Sequence, residues 1–437
     1  MIVSPRSRLE IGDPISWGRG AWYLLVFLQP FNQFGALRWI SLTVLTAALV
    51  IVIVKKIHLA EPWYPAIWSV RIGFLLVCWI ILTSLIGPYP EESLTAMRQS
   101  LIVQIALFLA GFLLVSSAAH AWGLVFASLA GFATLSLFSI GDVISLISVR
   151  GLGDRAYSHD SWWGGYGGKG GYYLPLILGW LLTQARGRRA RIAGVTLLAV
   201  VIVLIALYGA RSPLIVGSIG CATFMLFYFE RWGAIIVGAF LMTLLLSAIV
   251  LSPLGSIFRY NSLLTPSIYV SNEGLSQRLA IWEGMRQVIR DRPLVGYGYG
   301  WKKLAWAINE RGFSARWKDD KSLPAFFLEG KANASYGRVN PHNYFLQVMF
   351  EIGAIGLIMV LVFWVHLVKE CVPLLRRGTP EPSRAFAATT IAVLTGYLIG
   401  NLTNGHWVGE LANLSLSFAG TLLALSIVAR QEKGESY

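Results

Sequence analysis

Apolar runs of about 20 residues recur along this chain and constrain its fold more than any other feature. Of its 437 residues, 56% are hydrophobic and only 13% are charged, and an α-helix needs runs of about that length to cross a bilayer. A helix also satisfies its own backbone hydrogen bonds, which lipid cannot do. The sequence therefore predicts an all-α polytopic membrane protein.

We predict twelve transmembrane helices from these runs, the sixth of which is short and begins in glycine. The predicted spans are Trp17–Phe34, Leu37–Val54, Arg71–Leu85, Leu101–Val115, Ala121–Ile140, Tyr172–Leu182, Ile192–Tyr208, Pro213–Phe229, Trp232–Leu251, His342–Lys369, Ala385–Leu402 and Trp407–Val428.

Basic residues beside short loops predict the orientation, because they stay on the cytoplasmic side. Both termini then fall in the cytoplasm, and three polar loops fall outside: Gly87–Arg98, Gly141–Gly171 and Ser252–Pro341. We accordingly divide the chain into three parts. Residues 1–251 hold spans 1–9, residues 252–341 form a large periplasmic loop between helices 9 and 10, and residues 342–437 hold spans 10–12 and a cytoplasmic tail.

The loop Ser252–Pro341 has 90 residues, with thirteen basic and seven acidic side chains. Long translocated loops escape the orientation rule, so this positive surplus indicates an anionic partner. Attraction to the headgroups of membrane lipids is the alternative. No nucleic-acid-binding module is recognised, so nucleic acid is not expected as a partner.

Two predicted spans begin at the external face beside a proline. Arg211 stands before a Ser-Pro pair and His342 stands after an Asn-Pro pair, and both pairs favour a helix N-terminus. Because such ends attract anions, together they predict a phosphate site; alternatively, Arg211 extends to lipid headgroups. A histidine has a suitable intrinsic pKa for a general base, although a lone histidine elsewhere would more often be structural.

Polar residues line one face of the helix that follows His342. Asn343, Gln347 and Glu351 recur at intervals of four, and polar groups at such depth face protein or water rather than lipid. About 13 Å of helix separate Glu351 from His342. We therefore interpret Glu351 as a packing residue satisfied by a neighbouring span.

A second polar row lies in the large loop, where Arg278, Trp282, Arg286 and Arg290 recur every four residues. This row favours an amphipathic helix resting on the membrane interface. The segment Gly296–Gly300 follows, but it lacks the strand–turn–helix context of a phosphate loop. It predicts a tight turn with two exposed tyrosines.

The glycine-rich segment Gly164–Gly171 predicts a flexible external loop, in which Lys169 is a candidate ligand-binding residue. The histidines have no metal-ligand spacing, so no metal site is expected.

Three segments together resemble the O-antigen ligase and polymerase superfamily. They are Gly-Ala-Arg211-Ser at a span start, Gln277-Arg278-x-x-x-Trp282 leading to Arg-Pro293-Leu-Val-Gly296-Tyr-Gly, and His342-Asn343-Tyr-Phe-Leu-Gln-x-x-x-Glu351-Ile-Gly353 followed by Gly356. The resemblance is strong between about Tyr208 and Leu357. The entry to the sixth span is glycine-rich rather than asparagine-rich, so no residue is transferred there.

The resemblance implies a GT-C-like glycosyltransferase of the bacterial inner membrane that uses a glycan carried on undecaprenyl pyrophosphate. Arg211 and Arg278 match the arginines expected to hold the donor pyrophosphate, and His342 matches the proposed base for the acceptor hydroxyl. In the ligase branch the acceptor is lipid A–core at the periplasmic face. Supporting candidates are Asn343, Trp282, Arg286, Arg98 and Lys169.

This chemistry agrees with the residues. Pyrophosphate is a good leaving group, so charge neutralisation and a base are needed more than a metal, a cofactor or a nucleotide. One base without a paired carboxylate fits a single displacement, which inverts the anomeric carbon.

Other functions share these features. A polymerase of O-antigen or exopolysaccharide, or a protein O-glycosylating relative, would use the same motifs. We favour the ligase because the basic loop suits a phosphorylated acceptor. A flippase or transporter of lipid-linked oligosaccharide belongs to a different class, and it would be expected to show internal repeats and charged or broken helices near the bilayer midplane.

Overall fold

The structure is a computed structural model, and it describes residues 13–31, 33–55, 68–150, 166, 168–208, 211–229, 278–313, 340–403, 405, 407 and 409–432, with the side chains of residues 146–150, 211 and 280 excepted. Its regular secondary structure within these ranges is helical, which confirms the all-α prediction. The α-helices are α1 Pro14–Leu28, α2 Gly35–Val54, α3 Trp68–Ile86, α4 Pro90–Ala96, α5 Ile102–Leu113, α6 Ala118–Arg150, α7 Gly170–Thr183, α8 Arg188–Leu207, α9 Arg211–Phe229, α10 Arg278–Asp291, α11 Leu304–Glu310, α12 Tyr344–Cys371, α13 Glu381–Gly400 and α14 Glu410–Glu432.

Eight helical segments in the described ranges are long and apolar enough to cross a membrane, so the chain is a multi-pass membrane protein. These segments are Gly35–Val54, Trp68–Ile86, Pro90–Leu113, Ala118–Ser145, Arg188–Leu207, Ser212–Phe229, Tyr344–Leu375 and Glu410–Glu432. Helices α1, α7 and α13 coincide with three further predicted spans. The predicted ninth span lies outside the described residues, so the count of twelve stays a prediction.

The predicted loop Gly87–Arg98 is largely helical. Helix α4 begins at Pro90, where a proline is well tolerated because the first amide has no partner within the helix. The helix then continues through a π-helical turn, Met97–Leu101, into α5. Arg98 lies exposed on this turn.

Several helix ends meet on one side of the bundle, which we call the loop face. The Lys169 ammonium donates to the carbonyl oxygen of Pro30 at 2.8 Å, joining the start of α7 to the end of α1. The backbone amide of Tyr299 donates to the Ser84 hydroxyl near the end of α3 at 3.1 Å. The loop face therefore brings α10 and α11 against the ends of the membrane helices.

Other helix ends meet on the far face. The Ser69 hydroxyl, at the start of α3, donates to Glu370 near the end of α12 at 3.0 Å. The Tyr228 hydroxyl, at the end of α9, donates to Glu381 at the start of α13 at 2.8 Å. Helices α3 and α12 therefore run antiparallel to each other, as do α9 and α13.

Small residues allow α5 and α14 to pack closely. A Cβ at Gly111 would lie 2.4 Å from the Ser417 carbonyl oxygen, and one at Gly420 would lie 2.1 Å from that of Phe108. Such contacts are typical of membrane helices, which associate through close backbone packing. This pair helps to form the centre of the bundle.

Candidate active site at the loop face

His342 lies in a tight turn immediately before α12. Its φ of 49° is in the left-handed region, which is uncommon for a residue with a side chain and clusters at functional sites. The Asn340 side-chain oxygen accepts a hydrogen bond from the His342 amide at 2.8 Å and holds this turn. The imidazole is half-buried.

The end of α13 fixes the same turn from a second side. The Tyr344 amide donates to the Asn401 carbonyl oxygen at 2.9 Å, and the Asn343 side-chain amide donates to that of Leu402 at 3.0 Å. Asn343 therefore supports the turn from both sides, because its oxygen also caps α12 by accepting from the Leu346 amide at 3.0 Å.

The capping pattern differs from the prediction. Asn343 is the N-cap of α12, rather than the Asn-Pro pair before His342. Asn343 and Asn401 already accept hydrogen bonds from amides of the first turn. This end of α12 is consequently a weaker anion site than two open helix N-termini would be, and the anion-binding groups must come largely from elsewhere.

Helix α12 is broken at Gly353, which has φ 70° and ψ −176°. The segment 293–298 of the large loop pairs with the backbone groups that the break leaves without helical partners. The amides of Tyr297 and Gly298 donate to the carbonyl oxygens of Phe350 and Glu351 at 2.8 and 2.7 Å, and the Ala354 amide donates to that of Pro293 at 2.8 Å. The loop is thereby bonded directly into a membrane helix.

We expect Gly353→Ala to destabilise this junction. A Cβ there would lie 2.1 Å from the Leu294 carbonyl oxygen, and the positive φ disfavours any side chain. The cost should be on the order of 1–3 kcal/mol, seen as a lower unfolding temperature of the purified protein and faster proteolysis of the large loop. Gly378→Ala, whose Cβ meets nothing within 4 Å, is the matched control. Equal stability of the two variants would contradict this account of the break.

The two tyrosines of the Gly296–Gly300 turn are fully buried, so the prediction that they are exposed is wrong. The Tyr297 hydroxyl donates to Asp291 at 2.9 Å, and the Tyr299 hydroxyl donates to Gln104 on α5 at 3.1 Å. The glycines do form a turn with positive φ values. It is buried because it packs into the break of α12.

Helix α10 agrees with the predicted amphipathic helix, but its apolar face packs on protein rather than on the membrane interface. Met285 and Val288 are fully buried in a cluster with Tyr297 and Phe350. Trp282 packs against this same cluster, as does Leu346 of α12. Helix α10 therefore packs on the part of α12 that precedes Gly353.

Arg278 and Trp282 present polar hydrogens that no described residue accepts. The Arg278 Nε and the Trp282 Nε1 are both buried and without hydrogen-bond partners in the described part of the chain. Burial lowers the pKa of the Arg278 guanidinium, although an arginine stays charged at neutral pH. A buried donor without an acceptor is costly. An anionic ligand that accepts from both, one helical turn apart, would remove that cost.

The other basic candidates have different surroundings. Arg286 is exposed and bonds to Glu283 on its own helix. Lys169 is buried and forms an ion pair with Glu410 at 2.9 Å, so its charge is already matched. Arg211 begins α9 as the sequence predicts, but the position of its side chain lies outside the described part of the structure.

The glycine-rich segment is better packed than its composition suggested. Tyr166 is fully buried and stacks on Phe132, with ring centroids 5.1 Å apart. Gly170 and Gly171 belong to α7. The prediction of a flexible loop is wrong for these residues, and the remainder of Gly164–Gly171 lies outside those described, except Gly168 and Lys169.

Glu351 is fully buried and satisfied by protein, as predicted, but its partners are not those of a neighbouring span. Its two carboxylate oxygens accept from the Gln347 side-chain amide at 2.8 Å and from the Gly300 backbone amide at 2.6 Å. The predicted polar stripe thus connects to the large loop. Sequence reasoning did not single out Lys303, which is also buried here; a lysine three residues after the glycine–tyrosine turn was the available signal.

An apolar cavity of about 330 Å³ lies among α3, α5, α12 and α14. Gln104 and Trp407 are among its few polar lining residues. The Gln104 amide donates to the Trp407 carbonyl oxygen at 2.8 Å, and Trp407 contacts Tyr344 with ring centroids 5.4 Å apart. Trp407 therefore joins the cavity lining to Tyr344, two residues after His342.

Fold and site together define a multi-pass membrane protein with a histidine turn and a basic helix at one face of its bundle. The profile of a protein family described as O-antigen ligase matches residues 194–361, from α8 through the first two-thirds of α12. This match supports membership of the chain in the O-antigen ligase and polymerase superfamily. Members of the family are glycosyltransferase-like enzymes that act on lipid-linked glycans. No curated protein matches the chain.

Proposed function

We propose that this protein is an O-antigen ligase. It transfers a glycan from undecaprenyl pyrophosphate to a hydroxyl group of lipid A–core, with inversion, at the periplasmic face of the bacterial inner membrane. The family match supports ligase or polymerase chemistry on a lipid-linked glycan. The ligase is the finer choice, because the positive surplus of the large loop suits a phosphorylated acceptor.

The observation that carries the proposal is the pair of buried donors, Arg278 Nε and Trp282 Nε1, that have no acceptor among the described residues and lie on a helix packed against α12. In the proposed reaction Arg278, Trp282 and Arg211 bind the donor pyrophosphate and stabilise the charge that develops on it. His342 removes the proton of the acceptor hydroxyl. The hydroxyl oxygen bonds to the anomeric carbon as the bond to the pyrophosphate oxygen breaks, and undecaprenyl pyrophosphate leaves.

A lipid substrate also needs an apolar environment for its chain. The cavity beside Gln104 and Trp407 lies among membrane helices. Its lining residue Trp407 contacts Tyr344, two residues after His342. Its nearly apolar lining suits a hydrocarbon chain. This agrees with substrates that reach the site from the membrane rather than from water.

Replacement of Trp282 by phenylalanine tests the donor site directly. The variant keeps an aromatic ring against the cluster of Tyr297 and Phe350 and loses the five-membered ring that carries the N–H, so the fold should be preserved. We expect the Kd for undecaprenyl pyrophosphate to rise roughly tenfold, as for loss of one hydrogen bond to a charged group. Trp306→Phe is the control, because Trp306 packs against the same cluster through Tyr89 and lies on α11 rather than on α10. Equal donor affinity in both variants would remove Trp282 from the proposed site.

The proposed orientation is tested by thiol labelling in a variant that lacks Cys78, Cys221 and Cys371. Lys302→Cys, exposed at the loop face, should react with a membrane-impermeant thiol reagent in spheroplasts. Gly378→Cys, exposed between α12 and α13, should react only after lysis. The reverse pattern would invert the topology and exclude a periplasmic active site.

A further inference from the structure

We propose that Glu351 is a positioning residue. Through Gln347, it fixes the position of the His342 turn relative to the large loop. The inference rests on the proposed function for its catalytic consequence. Its structural basis is a series of contacts that is hydrogen-bonded from the loop to Gln347 and closely packed around Gly405 from Gln347 to the turn.

The first part of the series lies in the loop. Lys303 is 1% exposed, and its ammonium bonds to the Ser93 hydroxyl and to the Tyr299 carbonyl oxygen. Burial lowers the pKa of Lys303, and the negative charges of Glu351 and Glu92 oppose that shift. A buried cation thus fixes the loop on α4 at the point where Gly300 reaches Glu351.

The second part joins the loop to α12. Gly300 and Gln347 both donate to the Glu351 carboxylate, and the Gly298 amide donates to the Glu351 carbonyl oxygen at 2.7 Å. Glu351 therefore accepts hydrogen bonds from the loop with both its side chain and its backbone. Both contacts lie just before the break at Gly353.

The third part reaches the turn. Gly405 lies between the side-chain oxygens of Gln347 and Asn340, since a Cβ there would be 2.6 Å from each. Asn340 in turn accepts from the His342 amide. A shift of Gln347 would consequently disturb the residue that holds the left-handed His342 turn.

The break gives this series a mechanical role. Tyr344–Ile352 is bonded to the end of α13 at its start and to the loop at its end, and Gly353 interrupts its continuity with the rest of α12. Contacts with the loop, with α13 and with Trp79, whose Nε1 donates to the Ile352 carbonyl oxygen at 2.9 Å, thus set its position in place of helix continuity. A buried carboxylate is not required for packing, because apolar side chains stabilise as well, whereas its directional hydrogen bonds fix one register.

Three variants test this inference. Glu351→Gln replaces one carboxylate oxygen by an NH2 group, which cannot accept a hydrogen bond, so the side chain can no longer accept from Gly300 and Gln347 at once. The exchanged pair Gln347→Glu/Glu351→Gln restores a carboxylate–amide hydrogen bond between the two positions. Glu370→Gln is the control, because Glu370 is a half-buried carboxylate on the same helix that bonds to Ser69 at the far face.

Steady-state kinetics and hydrogen exchange should be measured together. We expect kcat to fall ten- to a hundredfold in Glu351→Gln, as for a misplaced catalytic group, with KM for both substrates changed less than threefold. Amide exchange should become faster in residues 296–300 and 340–346. The exchanged pair should recover at least half of the lost activity on a logarithmic scale, and Glu370→Gln should match the wild type.

Two results would overturn the inference: a kcat in Glu351→Gln equal to that of Glu370→Gln, or faster exchange confined to residues 296–300. If Glu351→Gln does not accumulate, Gly405→Ala tests the same series from its other end, and it should show the same loss of kcat and faster exchange. Absence of transfer by the wild type would remove the proposed function, while the exchange data would still decide the coupling.

Discussion

Replacement of His342 by alanine should abolish glycan transfer while the protein still inserts and accumulates normally. The turn is held by hydrogen bonds of its backbone and of the Asn340 and Asn343 side chains, which the change leaves in place, so the fold should tolerate it. Loss of a general base costs 10²- to 10⁴-fold, and we expect a decrease of at least about a hundredfold. The measurement is the transfer rate per amount of purified protein.

His366→Ala is the matched control, because His366 lies on the same helix near the far face, beside Trp68. It should retain transfer close to that of the wild type. Full activity in properly inserted His342→Ala would exclude His342 as the base.

Replacement of Arg278 or Arg211 by alanine should weaken donor binding and turnover together. Arg278 presents a buried Nε without a partner among the described residues, and Arg211 begins a membrane helix, where an anion is favoured. We expect at least about a tenfold loss for each variant. Lysine at either position should restore little donor binding or turnover, because an ammonium group does not replace the planar set of donors of a guanidinium.

Donor binding and turnover must both be measured, since turnover alone does not separate the two roles. Arg290→Ala is the control, because Arg290 is exposed at the other end of α10. Normal donor use by both alanine variants would place the pyrophosphate site elsewhere.

The membrane helices were predictable because their signal is local. A long apolar run fixes both the helix and its environment, and each predicted span within the described residues coincides with a helix. The row on α10 was likewise visible from its four-residue spacing. The surface that covers the apolar face of α10 could not be predicted, because contact with protein and contact with lipid require the same apolar residues.

The break in α12 could not be predicted, because it depends on contacts that are distant in the sequence. Gly353 lies within a long apolar run that is typical of a continuous span. The hydrogen bonds that stabilise the break come from segment 293–298, some 60 residues earlier, and from Trp79 of α3. The same long-range contact buries Tyr297. Turn chemistry predicted the glycine turn correctly, but the burial of that turn depends on a partner that local sequence does not specify.

Lys169 illustrates how a partner changes the interpretation of a charge. The glycines around it suggested an accessible loop, whereas the structure joins it to Glu410, 241 positions later. Charge pattern alone could not distinguish this ion pair from a ligand-binding lysine.

The central claim is that this protein itself joins a lipid-linked glycan to a lipid acceptor. It is tested by incubating purified protein with glycan-linked undecaprenyl pyrophosphate and lipid A–core, in excess EDTA and without ATP, and following the size of the acceptor. We predict that glycan appears on lipid A–core and that free undecaprenyl pyrophosphate is released. Growth of the lipid-linked glycan instead would indicate a polymerase. Movement of the donor across proteoliposome membranes without joining, or transfer that requires a divalent ion, would contradict the account.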